Sequence, residues 1–290
     1  MLSRLSRARA GWLAGAAGAA GAIALARVSC GDTECERQRP PRLRLALIRH
    51  GESMNNVFDA ESFATYVAKR TPDPDLSKRG FVQAERLGRF LADTTASAFL
   101  GIHPISQLWV SPVKRAMQTM EPTARATGMH ALVRTDLFEA GGLFQADATY
   151  TKFEPRPGMT RTEMTTSFPM YKVPPDVTDD GWYRGTGRET TAQCRARARR
   201  VARELRARAS QLGRNEQIVL VAHYDFICAL LDALLLPESK HGEYFERWRH
   251  YNTGVTVVDL QQDGTTSVSM ANAVAHLTDD PNLVSGGFAM

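Results

Sequence analysis

Leu43-Arg44-Leu45-Ala46-Leu47-Ile48 runs without a turn residue into Arg49-His50-Gly51-Glu52-Ser53. A run this apolar, bounded by polar chain, reads as a short buried strand, and the change at Arg49 puts basic side chains at its carboxyl end. The same arrangement recurs twice: residues 107–110 (QLWV) lead into Ser111-Pro112, and residues 218–222 (IVLVA) lead into His223. Helical spacing fills the gaps between them. Phe81, Ala84, Leu87 and Leu91 follow Ser77, a suitable N-cap. Ser111-Pro112 sets an N-cap before a proline at the first helical position, opening a helix over 113–127.

Residues 191–212 carry Val201, Leu205 and Leu212 as an apolar stripe, and Arg195, Arg197, Arg199, Arg200, Arg203, Arg206 and Arg208 read as its solvated face. Residues 226–236 are apolar on nearly every side and belong in the interior. Residues 255–260, the Asp263-Gly264 turn and residues 267–270 make a terminal hairpin. The alternation predicts an α/β fold: a three-layer α/β/α sandwich with a mostly parallel sheet, helices on both faces and an antiparallel C-terminal strand or hairpin. Residues 140–190 are rich in Gly and Pro and lack periodicity. They read as an insertion over the top of the sheet, where such loops shape substrate pockets.

With 290 residues, 43% hydrophobic and 23% charged, the chain excludes a disordered tail, a collagen-like repeat and a coiled coil, and four cysteines are too few for a disulfide scaffold. Its basic excess, 36 against 31, lies in residues 1–44, where eight arginines face Asp32, Glu34 and Glu36; residues 45–290 balance at 28 each. No nucleic-acid partner is expected from such a distribution. The Arg-rich opening holds no acid before Asp32, which points to mitochondrial targeting, with or without residues 11–26 as a retained anchor that would give membrane association. A charged start, an apolar run and small residues at 24–26 also suit a secretory signal. The run is short for a spanning helix, and its Ala and Gly insert weakly. Residues 1–41 thus read as a targeting or anchor segment and linker, and residues 42–290 as the catalytic domain with its insertion at about 140–190.

In open parallel sheets, ligands bind beyond the carboxyl ends of the strands. Three such ends here deliver Arg49 and His50, then Ser111 with Arg115 one helical turn on, then His223. Two imidazoles and two guanidiniums in one pocket suit a phosphoryl group. Neutral imidazole attacks phosphorus at pH 7 and forms a phosphohistidine. Arginines hold the charge spread over the non-bridging oxygens, Gly51 admits the phosphate close to the backbone, and His223 adds a hydrogen bond. Glu139, opening the insertion, is the expected proton donor to the leaving alkoxide, with Asp225 as the second candidate. Lys152, Arg184 and Arg188 are candidates to meet a second anionic group.

Leu47-Ile48-Arg49-His50-Gly51-Glu52-Ser53 with Asn56 resembles the opening signature of the histidine phosphatase superfamily, also called phosphoglycerate mutase-like. Leu76-Ser77 with Gly80, Gln83 and Ala84, Ser111 to Ala116 with Gln118-Thr119, Val221-Ala222-His223 and residues 252–260 (NTGVTVVDL) are similar to its later segments. The resemblance covers about residues 43–275. It implies His50 as the phosphorylated nucleophile, Arg49, Arg115 and His223 as phosphate ligands, Asn56 as a contact to the transferred group or the substrate, and Glu139 as proton donor. It implies no metal and no cofactor.

Two departures stand out. Tyr224 follows the second histidine where the family commonly has a small residue, and the segment after Glu139 lacks the elements of a glycolytic mutase. The first narrows the pocket; the second tilts the expectation to a metal-independent phosphomonoesterase acting on a phosphorylated small molecule or a phosphoprotein. A phosphomutase and a catalytically inactive binding protein on the same fold are the alternatives.

Overall fold

The computed structural model describes residues 40–241, 245 and 247–286; the targeting segment read over 1–41 lies outside them except for Pro40 and Pro41. Nine strands are described: β1 (Arg42–Arg49), β2 (Gln107–Val110), β3 (Ala131–Val133), β4 (Phe144–Ala146), β5 (Phe153–Pro155), β6 (Tyr171–Lys172), β7 (Glu216–Ala222), β8 (Val255–Gln261) and β9 (Thr266–Ala273). Seven of them form one sheet in the order β6-β3-β2-β7-β1-β8-β9. Pairing is parallel from β6 to β1 and antiparallel for β1 with β8 and β8 with β9, as the sequence pattern requires.

Helices α1 (Met54–Glu61), α2 (Phe63–Lys69), α3 (Lys78–Ala92), α4 (Lys114–Thr127), α5 (Arg161–Ser167), α6 (Thr191–Ser210) and α7 (Tyr224–Leu235) complete the described chain. Successive side chains of a strand point to opposite faces, so a strand covered on both faces reads as a continuous apolar run. In β1, Ala46 and Ile48 pack with Leu87 and Leu91 of α3 and Met117 and Met120 of α4. Leu43, Leu45 and Leu47 pack on the other face with Val201 and Leu205 of α6 and Phe226 and Leu230 of α7. This is the α/β/α sandwich.

Four local expectations are corrected. Phe81 is 45% exposed, because Gly80 and Gln83 take the inner face of α3 beside Ala84, Leu87 and Leu91. Helix α4 begins at Lys114, after a Val113 N-cap without a side-chain bond, and the Ser111 hydroxyl bonds His223 instead. The arginines of α6 are not simply a solvated face. Arg195 is buried against Asp232 at 2.9 Å and Arg197 against Glu189 at 2.6 Å, while Arg208 meets Glu216 at 2.6 Å. Arg200 and Arg203 are exposed. The insertion is also more than a cover: it holds the β4–β5 pair and α5, and its β6 extends the main sheet beside β3.

Candidate active site

Strands β1, β7 and β2 end level, because Arg49 pairs with Ala222 and Val110 with Val221. The ladder runs one residue further, with the His50 N–H donating to the Ala222 carbonyl at 2.9 Å and the Ser111 N–H to the Val221 carbonyl at 3.0 Å. The first residues past the sheet are therefore His50, Ser111 and His223, all buried. The two imidazoles lie 5.1 Å apart, tilted by 56°. Arg115, in the first turn of α4, bridges them: its Nε donates to His50 Nε2 at 3.0 Å and its Nη2 meets His223 Nδ1 at 3.1 Å.

A guanidinium has no acceptor, so these contacts assign both tautomers. The proton of His50 sits on Nδ1 and is donated to the Gly51 carbonyl at 2.6 Å, leaving the Nε2 lone pair turned to Arg115. The proton of His223 sits on Nε2 and is donated to Ser111 Oγ at 2.7 Å. Burial first, and then the charge of Arg115, hold both imidazoles well below the usual histidine pKa, so both are neutral at pH 7. Arg49 is also buried: its Nη1 donates to the His250 carbonyl at 2.7 Å and the Gly286 carbonyl at 2.9 Å, and its Nε has no partner among the described residues. The Tyr224 ring lies 5.2 Å from this guanidinium.

Glu139 keeps part of its surface open to solvent, yet protein surrounds it closely. Its Oε1 accepts the Ala140 N–H at 2.9 Å and the Phe226 N–H at 3.2 Å. The second bond serves the start of α7, where the N-cap His223 supplies no side-chain acceptor. Burial raises the Glu139 pKa despite the nearby charges of Arg115 and Arg49. Asp225 is pushed up to about 8 by burial and by the charge of Glu139. Two carboxyls so arranged retain a proton near neutrality.

Gly51 has a packing reason that precedes any phosphate: a Cβ there would stand 2.8 Å from the Gly80 carbonyl oxygen, and one on Gly80 would stand 2.0 Å from the Glu52 carbonyl oxygen. Asn56 caps α1, with its Oδ1 accepting the Ser53 N–H at 3.1 Å, and Asn252 Nδ2 reaches the same oxygen at 3.4 Å. Three further residues position the site: sequence reasoning brought Ser111 to it only as a helix cap and gave Thr119 and Asn252 no role there. Ser111 orients His223. Thr119 accepts the Gly51 N–H at 2.9 Å and donates to the Arg115 carbonyl at 2.7 Å, and Asn252 donates to the His50 carbonyl at 3.0 Å. All three lie in stretches quoted above, but a hydroxyl or an amide beside a motif carries no signal of its own. Of the cations offered for a second anion, Arg184 bonds Thr178 Oγ1 at 2.9 Å and Lys152 is exposed, whereas the charge of Arg188 acts on Asp225.

A family model described as histidine phosphatase superfamily (branch 1) matches residues 45–273. Among solved structures, the chain is similar to one described as mycobacterial hydrolase 1, with TM-score 0.51 and 22% identity over 79% of this chain and 98% of that one. It is similar to a mycobacterial glucosyl-3-phosphoglycerate phosphatase, with TM-score 0.50 and 22% identity over 79% and 98% of the two chains. A phosphoserine phosphatase from Entamoeba histolytica is similar with TM-score 0.50 and 18% identity over 81% and 99%. At these identities the likeness is one of fold. No curated protein sequence matches significantly.

Proposed function

The chain belongs to the histidine phosphatase superfamily and is a phosphatase of that fold, and from this premise we propose that it hydrolyses phosphomonoesters through a phosphohistidine on His50, with Glu139 as the proton donor. The observation that carries this reading is the bridge of Arg115 between His50 Nε2 and His223 Nδ1, at 3.0 and 3.1 Å. It marks the point where a phosphoryl group would meet both imidazoles and the guanidinium at once.

His50 Nε2 attacks phosphorus while the ester P–O bond breaks. The neutral imidazole carries its lone pair on Nε2 because Nδ1–H is fixed to the Gly51 carbonyl. Arg115, and the Nε of Arg49 that has no partner among the described residues, donate to the non-bridging oxygens. Glu139 gives its proton to the leaving alkoxide, and burial, which raises its pKa, favours the protonated form that can do so. Water then attacks the phosphohistidine. Glu139, now a carboxylate, takes a proton from it, the N–P bond breaks, and inorganic phosphate leaves with His50 neutral again. Substrates of the related structures, phosphorylated small molecules, are the class this pocket is proposed to serve.

The test uses the full chain and His50→Ala, with chelator present. Phosphate release from an aryl phosphate and an acid-labile phosphoenzyme in the wild type, both absent in the variant, are expected. Turnover that survives His50→Ala, or that chelation abolishes, would overturn the mechanism.

A further inference from the structure

Among the described residues, two of the buried arginines are matched to a carboxylate: Arg195 has Asp232 and Arg197 has Glu189. Arg70 is different. It is 9% exposed, lies within ion-pair distance of no carboxylate among the described residues, and is held by neutral groups: Nε donates to the Tyr66 hydroxyl at 3.2 Å and Nη1 to the Phe144 carbonyl at 3.1 Å. Its guanidinium carbon lies 4.4 Å from the Phe144 ring centroid. Arg188, exposed and likewise without a carboxylate, stacks at 5.4 Å from the same ring and 4.9 Å from Phe153. Tyr150 is shared too, 5.9 Å from Arg70 and 5.7 Å from Arg188.

Two like charges on one pair of rings repel, and a buried cation is costly without a counter-charge. Cation–π contact offsets part of that cost and leaves N–H donors for an anion. The platform is built rather than loose. Tyr150 holds a φ of 57°, unusual for a bulky residue, and Asp147 Oδ1 fixes the loop by accepting the Thr151 and Lys152 N–H groups at 2.7 and 2.9 Å. It also lies beside the turn that follows Glu139, where a Cβ on Gly141 would stand 3.3 Å from the Phe144 ring and 3.6 Å from Arg188 Nε.

We propose that Arg70 and Arg188, laid on Phe144, Tyr150 and Phe153, form a second anion-binding subsite, and that the substrate is a phosphomonoester bearing a second acidic group, carboxylate or phosphate, on its alcohol portion. The proposal rests on the phosphatase reading for where the first phosphate sits. Its test therefore measures binding rather than turnover.

Full-length His50→Ala is titrated calorimetrically with propyl phosphate, with carboxyalkyl phosphates of one to four methylenes, and with the matching alkane bisphosphates. One spacer length is expected to bind at least about tenfold tighter than propyl phosphate. Adding Arg188→Gln is expected to cut that advantage to within about threefold. Arg184→Gln, which removes the same charge from the Thr178 position, is expected to retain it. The series with the larger advantage identifies the acidic group. Arg70→Met, checked for folding by thermal melt, should erase the advantage as well, and Arg188→Gln decides alone if that variant does not fold. No spacer binding better than propyl phosphate, or equal erosion by Arg184→Gln, would overturn the subsite. A wild type that fails to turn over while the tenfold preference persists would sink the phosphohistidine mechanism and leave the subsite standing.

Discussion

Arg115 and Arg70 are both guanidiniums beside one pocket, but they are held in opposite ways. Arg115 belongs to the floor, where three strands end level and backbone hydrogen bonds tie His50 to the Ala222 carbonyl and Ser111 to the Val221 carbonyl. Its donors meet ring nitrogens in fixed tautomers. Arg70 belongs to the wall, where α2 and the insertion meet and rings supply the contact. A floor made from the sheet fixes chemistry common to any phosphomonoester. A wall made from loops and rings decides what else the ester must carry. Floor variants should therefore depress turnover of every substrate, and wall variants should alter the ratio between substrates.

The largest expected effect falls where floor and wall meet. Glu139 opens the insertion, yet its Oε1 is bound to the start of α7. Glu139→Gln keeps an oxygen for both N–H donors but has no proton to give. Its kcat/KM on an alkyl phosphate should fall on the order of 10³-fold, and on an aryl phosphate with a stable phenolate by only about tenfold. The working form is the protonated acid, and burial raises its pKa. Wild-type activity should thus hold at lower pH and decline as pH rises through that elevated value, and the Gln variant should lose this decline. Equal losses on both esters would remove Glu139 from the donor role. A decline abolished instead by Asp225→Asn would pass the role to Asp225, whose carboxyl is held at about 8.

A pair of glycines sharpens the same contrast in stability. On the floor, a Cβ at Gly80 would lie 2.0 Å from the Glu52 carbonyl oxygen, a backbone atom that cannot turn aside. Gly80→Ala should cost on the order of 3 kcal/mol and lower Tm by roughly 6–12 °C. In the wall, a Cβ at Gly187 meets nothing within 4 Å. Gly187→Ala should be neutral or stabilising by about 0.5 kcal/mol. Equal melting temperatures for the two variants would break the distinction.

The legible parts of this molecule were those where one physical signal acts alone. Residues 43–48, 107–110 and 218–222 read as strands because burial on both faces leaves a largely apolar run, and His50, Arg115 and His223 followed from where those runs stop. Arg195 and Arg197 were illegible as buried groups. Apolar periodicity counts a guanidinium as solvated, while Asp232 and Glu189, which neutralise these two, are recognisable only once the chain has folded. Phe81 was misplaced because α3 turns its small face inward, against Pro122 at Gly88 and against Glu52 at Gly80. The wall was illegible for a related reason: its order comes from ring contacts of Tyr150 with Phe144 and with Tyr66, the last far off in sequence, and the three share no period.

Ser111 is the smallest of these effects and the clearest case of one residue with two readings. Before a proline it looks like a helix cap, yet its contact with the Val113 N–H is a long 3.4 Å, while the His223 Nε2–H is donated to it at 2.7 Å. That bond keeps the His223 proton on Nε2 and leaves Nδ1 to Arg115. Ser111→Ala removes the acceptor in a fully buried position, so the stranded N–H costs about 1 kcal/mol and the tautomer balance shifts toward Nδ1–H. Turnover should fall about fivefold through kcat, and the ¹⁵N shifts of His223 should move toward the other tautomer. A cap would act differently, lowering Tm while leaving the ¹⁵N shifts and kcat unchanged. Because the change lies in the floor, the loss should be the same for propyl phosphate and for a carboxyalkyl phosphate; a loss confined to one of them would place Ser111 with the wall.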